Sequence, residues 1–322
     1  MKKIFICIIF CCLLLSGCNE EQNIIHEYDN VKVYDSKLQT SFDSETDNIL
    51  FASNLCVIPK SQKNSEDKKI SAGGALLINK TKQQCLFSKN IYDKMYPASI
   101  TKLITALVAL EEDKIEDTVI IGKNAANITE PGAKLCGFKQ GDKVKMDVLL
   151  KSMLVYSGND AALAIAEHIS GSQKAFAKKM NETVRSIGTV NTNFVNPHGL
   201  HNNKQYTTPY DLYIIINELL KYEEIYDMFG LKNYKAAYYN SSNKVVGKSF
   251  DATNKYLIGQ ATPPKNIKVV GGKTGTTDKA GNCLALYCVN TKTKDEYISI
   301  ILNADSSASL YSQMTHLLSY GK

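Results

Sequence analysis

The stretch Tyr96-Pro97-Ala98-Ser99-Ile100-Thr101-Lys102-Leu103-Ile104-Thr105-Ala106-Leu107-Val108-Ala109-Leu110 decides how the rest of the chain is read. Pro97 suits a helix start, where the N–H it lacks would have no partner. After Lys102 the residues are apolar almost all round, which predicts a buried helix rather than an amphipathic one. Ser99 and Lys102 are three apart and so share one face. A serine hydroxyl is a poor nucleophile until a base takes its proton. A lysine can be that base only when neutral, and burial pushes its pKa down. The first helical turn also favours developing negative charge. Ser99 is therefore a candidate nucleophile and Lys102 its candidate base. S-x-x-K alone does not single them out, because residues 65–68 and 241–244 match it within polar stretches.

Two further motifs do. Ser157-Gly158-Asn159 lies 58 residues beyond Ser99 (157−99), and Lys273-Thr274-Gly275-Thr276 begins 116 beyond Ser157 (273−157). S-x-N and K-T-G are weak separately; the three motifs in this order are specific together.

The 322 residues suffice for one large domain or two small ones. With 44% hydrophobic and 22% charged residues, the composition is that of a globular protein. The net charge of +6 is carried almost wholly by scattered lysine, and Arg185 is the only arginine. A nucleic-acid face is usually clustered and arginine-rich, so no nucleic-acid partner is expected. Lys2-Lys3 followed by a short apolar run to Leu15 reads as an export signal over residues 1–17. The run is too short to span a bilayer comfortably. It ends Leu15-Ser16-Gly17-Cys18, which resembles the bacterial lipobox and implies cleavage before Cys18 and lipidation of its thiol. Residues 18–69 read as a tether, with eight acidic residues and two lysines in 19–48. Residues 70–322 read as the functional domain, anchored to the outer face of the cell membrane. Beyond the signal and Cys18, five cysteines remain, and an odd number argues against a full disulfide framework. Cys283 and Cys288, five apart on a strand, would face opposite sides and cannot pair there. The pair His198 and His201 forms H-x-x-H, but Pro197 and Gly199 break any helix there. His198 reads as a turn residue supporting the site, and neither metal nor cofactor is expected.

Along the chain, residues 49–59 are a possible edge strand, and 73–79 with 84–88 form a hairpin. The region 118–141 reads as loop-rich, and 147–155 as a helix leading to Ser157. Helices are expected over 161–169, 173–187 and 209–221. Residues 230–265 mix tyrosines with polar residues, and those at 234–239 read as packing of an inserted lobe. A strand over 269–276, a hairpin from 282–289 and 297–303, and a helix over 308–318 close the chain. Strands at both ends and helices between them imply an α+β fold: an antiparallel sheet flanked by helices, with an inserted, mainly helical lobe.

Residues 70–305 resemble the D-alanyl-D-alanine carboxypeptidases, the low-molecular-mass penicillin-binding proteins. The longer strings Leu154-Val155-Tyr156-Ser157-Gly158-Asn159-Asp160-Ala161-Ala162, Phe194-Val195-Asn196-Pro197-His198-Gly199-Leu200 and Ala280-Gly281-Asn282-Cys283-Leu284 carry the resemblance beyond the three motifs. It implies a β-lactamase/transpeptidase-like fold and a peptidoglycan stem peptide ending in D-Ala-D-Ala as substrate. Ser99 would attack the carbonyl between the two D-alanines, with Lys102 as base. Ser157 would relay a proton to the leaving amine. Asn159 would hold the substrate amide and help fix Lys102. Lys273, Thr274 and Thr276, with Gly275 among them, would take the terminal carboxylate. The N–H groups of Ser99 and Thr276 would receive the oxyanion. β-Lactams would then be covalent inhibitors. Relatives often place an arginine beyond K-T-G; none stands there in this sequence. Many also carry a second β domain and a C-terminal anchor, whereas this sequence stops at Lys322, so the N-terminal lipid would replace that anchor. The alternatives are a D,D-endopeptidase using the same residues, a class A β-lactamase, or a catalytically inactive wall-binding lipoprotein. The β-lactamase needs a glutamate for deacylation, and no E-x-x-L-N string lies between Asn159 and Lys273.

Overall fold

The computed structural model describes residues 54–322 apart from Lys63. The signal at 1–17, Cys18 and the tether up to residue 53 lie outside them. In chain order the elements are β1 (Gly74–Asn79), β2 (Gln84–Lys89), α1 (Lys102–Glu111), β3 (Thr118–Ile120), α2 (Lys123–Ala126), β4 (Lys143–Lys145), α3 (Met146–Lys151), α4 (Asn159–Ser170), α5 (Gln173–Ser186), α6 (Pro209–Leu219), α7 (Glu224–Phe229), β5 (Asn233–Tyr239), β6 (Val245–Asp251), β7 (Ile267–Thr277), β8 (Gly281–Asn290), β9 (Glu296–Ala304) and α8 (Ser307–Leu318).

The first five-stranded sheet has the order β2-β1-β9-β8-β7, every pair antiparallel. Its inner strands are apolar on both faces because both faces are covered. Leu76, Ile78, Ile298 and Ile300 join the core that includes α1 and α6, whereas Ala75, Leu77, Leu284 and Leu286 join the core under α8. Alternation along β8 sends Cys283 into the first core and Cys288 into the second. Both thiols are free, as their spacing predicts.

Residues 102–110 of α1 are all buried, so this helix is an axis of the core. A fully buried Leu or Ile contributes about 1.5–3 kcal/mol. The turn that carries Ser99, which leads directly into α1, therefore cannot shift without disturbing a large apolar contact. The lobe between β2 and β7 holds α2 to α7. It also holds a second sheet, β3-β4-β5-β6, which the sequence reading does not contain. The segment 118–141, read as loop-rich, supplies β3 and α2. Residues 233–251 form a hairpin in which Ala236 and Tyr238 point inward and their neighbours face solvent. Tyr238 packs edge-on against Phe138, whereas Tyr239 is exposed.

At the N-terminal side, the first part of the edge strand expected over 49–59, residues 49–53, lies outside the described residues, and residues 54–59 form no strand. They are held by side chains instead. The Cys56 N–H donates to Tyr213 Oη (2.9 Å), and Tyr210 Oη donates to the Cys56 carbonyl (3.0 Å). Cys56 and Ile58 are buried. Asp67 accepts from His316 Nε2 and Tyr320 Oη, both at 2.6 Å, joining this segment to the C-terminal helix.

Candidate active site

Ser99 does not sit in an α-helical turn. Residues Ala98–Thr101 form a 3₁₀ turn, and the α-helix begins at Lys102. Ala98, just before the serine, has φ 46°, a left-handed conformation uncommon outside glycine. Two glycines permit this turn. A Cβ on Gly199 would lie 1.9 Å from the Ala98 carbonyl oxygen, and a Cβ on Gly275 would lie 2.9 Å from the Ser99 nitrogen. The glycine of K-T-G therefore lets β7 approach the nucleophile's turn. β7 is also the edge strand of its sheet.

Lys102 Nζ lies 3.0 Å from Ser99 Oγ, 2.7 Å from Asn159 Oδ1 and 2.6 Å from the His198 carbonyl oxygen. Asn159 Oδ1 and the His198 carbonyl can only accept. A neutral amine has two N–H donors and one lone pair; with the donors committed to these two oxygens, the lone pair is left for the Ser99 hydroxyl. Lys102 has no solvent exposure. Burial first, and repulsion from Lys273 second, hold its pKa well below the ordinary lysine value. Geometry and electrostatics thus agree on a base.

Ser157 follows a single π turn, Ser152–Tyr156, and has φ 74°. Such a turn and a left-handed non-glycine residue are both features that cluster at functional sites. Its Oγ accepts from Lys273 Nζ at 2.9 Å, and Lys273 also donates to the Thr274 carbonyl at 2.9 Å. Burial, then the charge of Lys134, lowers Lys273 to about 7. His198 is pushed down to about 3, by burial first and then by Lys102, so its ring is neutral. Asp160 is buried, and its carboxylate accepts from the N–H groups of Cys136, Gly137, Phe138 and Ala161. That ties the 134–138 loop to the start of α4.

Two hydrogen-bonded groups result: Ser99 and Asn159 around Lys102, and Ser157 on Lys273. Ser99, Ser157, Asn159, Thr274, Gly275 and Thr276 line a cleft of about 290 Å³. Thr274 Oγ1 lies 2.6 Å from Thr253 Oγ1. Sequence reading missed Thr253, Lys134 and Lys255, which also line the cleft, and Asp160 as a loop anchor. It also missed the use of the His198 backbone, which no side-chain motif signals. Among the described residues no Asp or Glu lines the cleft. Among the described residues no cluster of three His, Cys, Asp or Glu side chains is arranged to hold a metal. A site with several cations and no acid at its wall suits an anionic substrate.

The model of the D-alanyl-D-alanine carboxypeptidase family, peptidase family S11, matches residues 60–306. The D-alanyl-D-alanine carboxypeptidase DacF of Bacillus subtilis (strain 168) is 32% identical over 77% of this chain. The match covers 61% of that relative, so the chain spans about three fifths of its length. Among solved structures, the Streptomyces K15 DD-transpeptidase aligns with a TM-score of 0.73 at 26% identity, over 80% of this chain and 99% of that one. Penicillin binding protein 5 from Haemophilus influenzae aligns with a TM-score of 0.69 at 30% identity, over 80% of this chain and 72% of that one. The transpeptidase-like α+β fold follows from these likenesses and from the sheet order.

Proposed function

The chain belongs to the D-alanyl-D-alanine carboxypeptidase family, and from that membership we propose that it removes the terminal D-alanine of peptidoglycan stem peptides through a Ser99 acyl-enzyme. The single observation that carries the reading is the Lys102 environment: a fully buried amine with two acceptors and the Ser99 hydroxyl around it.

Ser99 Oγ attacks the carbonyl between the two D-alanines as its proton passes to Lys102 Nζ. The Ser99 N–H, at the start of a helical turn and free of an intrahelical partner, and the Thr276 N–H on the β7 edge receive the oxyanion. The C–N bond then breaks. The leaving amine takes a proton through Ser157, which Lys273 holds. Water hydrolyses the ester and Ser99 is regenerated. The extended stem peptide lies along the β7 edge, where unpaired backbone groups can pair with it. Asn159 serves both the substrate amide and Lys102, and Lys273, Thr274, Gly275 and Thr276 form the carboxylate end of the cleft. Among the described residues no carboxylate lines the cleft wall to activate a deacylating water, as a class A β-lactamase requires, and this favours a peptidase.

The same reading makes residues 1–17 a signal peptide, Cys18 the lipidated residue and the following segment a tether. Residues 70–322 are the catalytic domain on the outer face of the membrane. No helix of the described residues is long and apolar enough to cross a membrane. Fractionation of Cys18→Ala tests the anchor: the variant leaves the membrane fraction, and unchanged processing and membrane retention would contradict it. The test of the chemistry is labelling of the full chain with fluorescent penicillin. The parent protein gives one long-lived adduct and Ser99→Ala gives none; equal labelling of both would refute Ser99 as nucleophile.

A further inference from the structure

We propose that Lys255 is the cation that recognises the substrate's terminal carboxylate. The inference rests on the carboxypeptidase reading and deepens it. A carboxylate held in a cleft calls for a charged donor within hydrogen-bond reach. The only arginine, Arg185, is in the last turn of α5 and does not line the cleft. Four lysines are near enough to matter. Lys102 is committed to Ser99, Asn159 and the His198 carbonyl. Lys273 is fully buried, is bonded to Ser157 and the Thr274 carbonyl, and at about 7 is close to half uncharged at neutral pH. Lys134 has its ammonium 4.0 Å from the Tyr156 ring centre, and burial lowers its pKa.

Lys255 differs from Lys102 and Lys273 in not being fully buried, and from Lys134, which also lines the cleft, in lying farther from its aromatic ring. It is half-buried, lines the cleft, and forms no ion pair with a carboxylate of the described residues. Its ammonium rests 5.3 Å from the Tyr311 ring centre, a weak contact that a carboxylate can replace. Its backbone is fixed on both sides. The Lys255 N–H donates to Tyr311 Oη at 2.9 Å, and its carbonyl accepts from the N–H groups of Gln260 and Ala261. Two residues earlier, the Thr253 hydroxyl meets the Thr274 hydroxyl. The loop is thereby attached to β7 beside the hydroxyls at the carboxylate end of the cleft. A fixed backbone that presents an unpaired ammonium is suited to binding, because little order is lost when the ligand arrives.

The experiment compares two peptides ending in D-Ala-D-Ala, one with a free carboxylate and one with a C-terminal amide. kcat/KM is measured for each with the full-length protein. The parent prefers the free acid. Lys255→Met lowers that preference about tenfold to a hundredfold, the range of hydrogen bonds to charged groups, and Lys255→Arg restores most of it. A merely structural role would slow both peptides equally and leave the ratio unchanged; that result overturns the proposal. So does loss of the preference in Lys134→Met with its retention in Lys255→Met. Acylation of Ser99 by penicillin and by its methyl ester reads the same ratio without requiring peptide turnover. If the parent releases neither D-alanine from the free acid nor D-alaninamide from the amide, the carboxypeptidase reading fails, while the penicillin ratio still judges Lys255.

Discussion

The electrostatics of Lys273 make a prediction about pH. Burial and the Lys134 charge bring this lysine from 10.5 to about 7. That difference corresponds to about 5 kcal/mol of preference for the neutral amine. Lys102 is lowered too, by burial and then by Lys273. Acylation needs Lys102 neutral and Lys273 charged, so its rate rises as the first deprotonates and falls as the second does. The alkaline limb for the free protein therefore lies near pH 7. A bound anionic substrate favours the charged form of Lys273, so the limb in kcat lies higher than that in kcat/KM. Replacing Lys134 by Met removes the one named charge that acts on Lys273. A neighbouring charge is worth about a pH unit or more, and less at a half-exposed position. The limb should move up by about 0.5–1 pH unit. It stays well below 10.5, because burial, the larger cause, remains. The assay is the second-order rate of penicillin acylation, followed by intact mass, for the parent and Lys134→Met across pH. An alkaline limb that does not move, or that moves down, would refute the assignment.

Lys102→Arg should be nearly inactive in the same assay, because a guanidinium does not deprotonate in proteins; Lys273→Arg should keep more activity, and the reverse order would exchange their roles. Gly199→Ala should destabilise the fold by at least about 3 kcal/mol, from its left-handed backbone and the clash with the Ala98 carbonyl; thermal melting measures this, and an unchanged Tm would contradict the packing. Asp67 is held below the usual carboxylate range by Tyr320, His316 and the Lys69 N–H. A lowered pKa stabilises the fold above the unfolded value and loses that effect as pH falls through the folded one. Asp67→Asn should therefore lower Tm at pH 7, and the gap to the parent should close in acid; a gap that widens there has the wrong sign.

What the sequence discloses depends on whether side chains or backbone carry the signal. β1, β8, β9 and α1 are legible because their apolar runs report burial directly. Ser99, Lys102, Ser157, Asn159 and Lys273 are legible because each acts through a side chain within an ordered set of motifs. The hairpin of residues 233–251 is harder to read. Its outward face carries Lys235, Tyr239 and Ser249, which resemble a polar loop; the inward face is marked fully only by Ala236, Tyr238 and Phe250, and it also holds Lys248, whose charge hides it. The 3₁₀ start of the nucleophile's helix rests on the left-handed Ala98, a conformation that tertiary contact imposes and composition does not disclose. His198 acts through its carbonyl oxygen, which every residue has. Lys134 and Lys255 reach the cleft from loops far apart in sequence, and only folding brings them together.

The most direct measurement is release of D-alanine from pentapeptide muropeptides by the full-length protein and by Ser99→Ala. The account predicts stoichiometric conversion of pentapeptide to tetrapeptide with free D-alanine by the parent, and none by Ser99→Ala. Intact pentapeptide after prolonged incubation with the parent, or D-alanine release that survives Ser99→Ala, would contradict it.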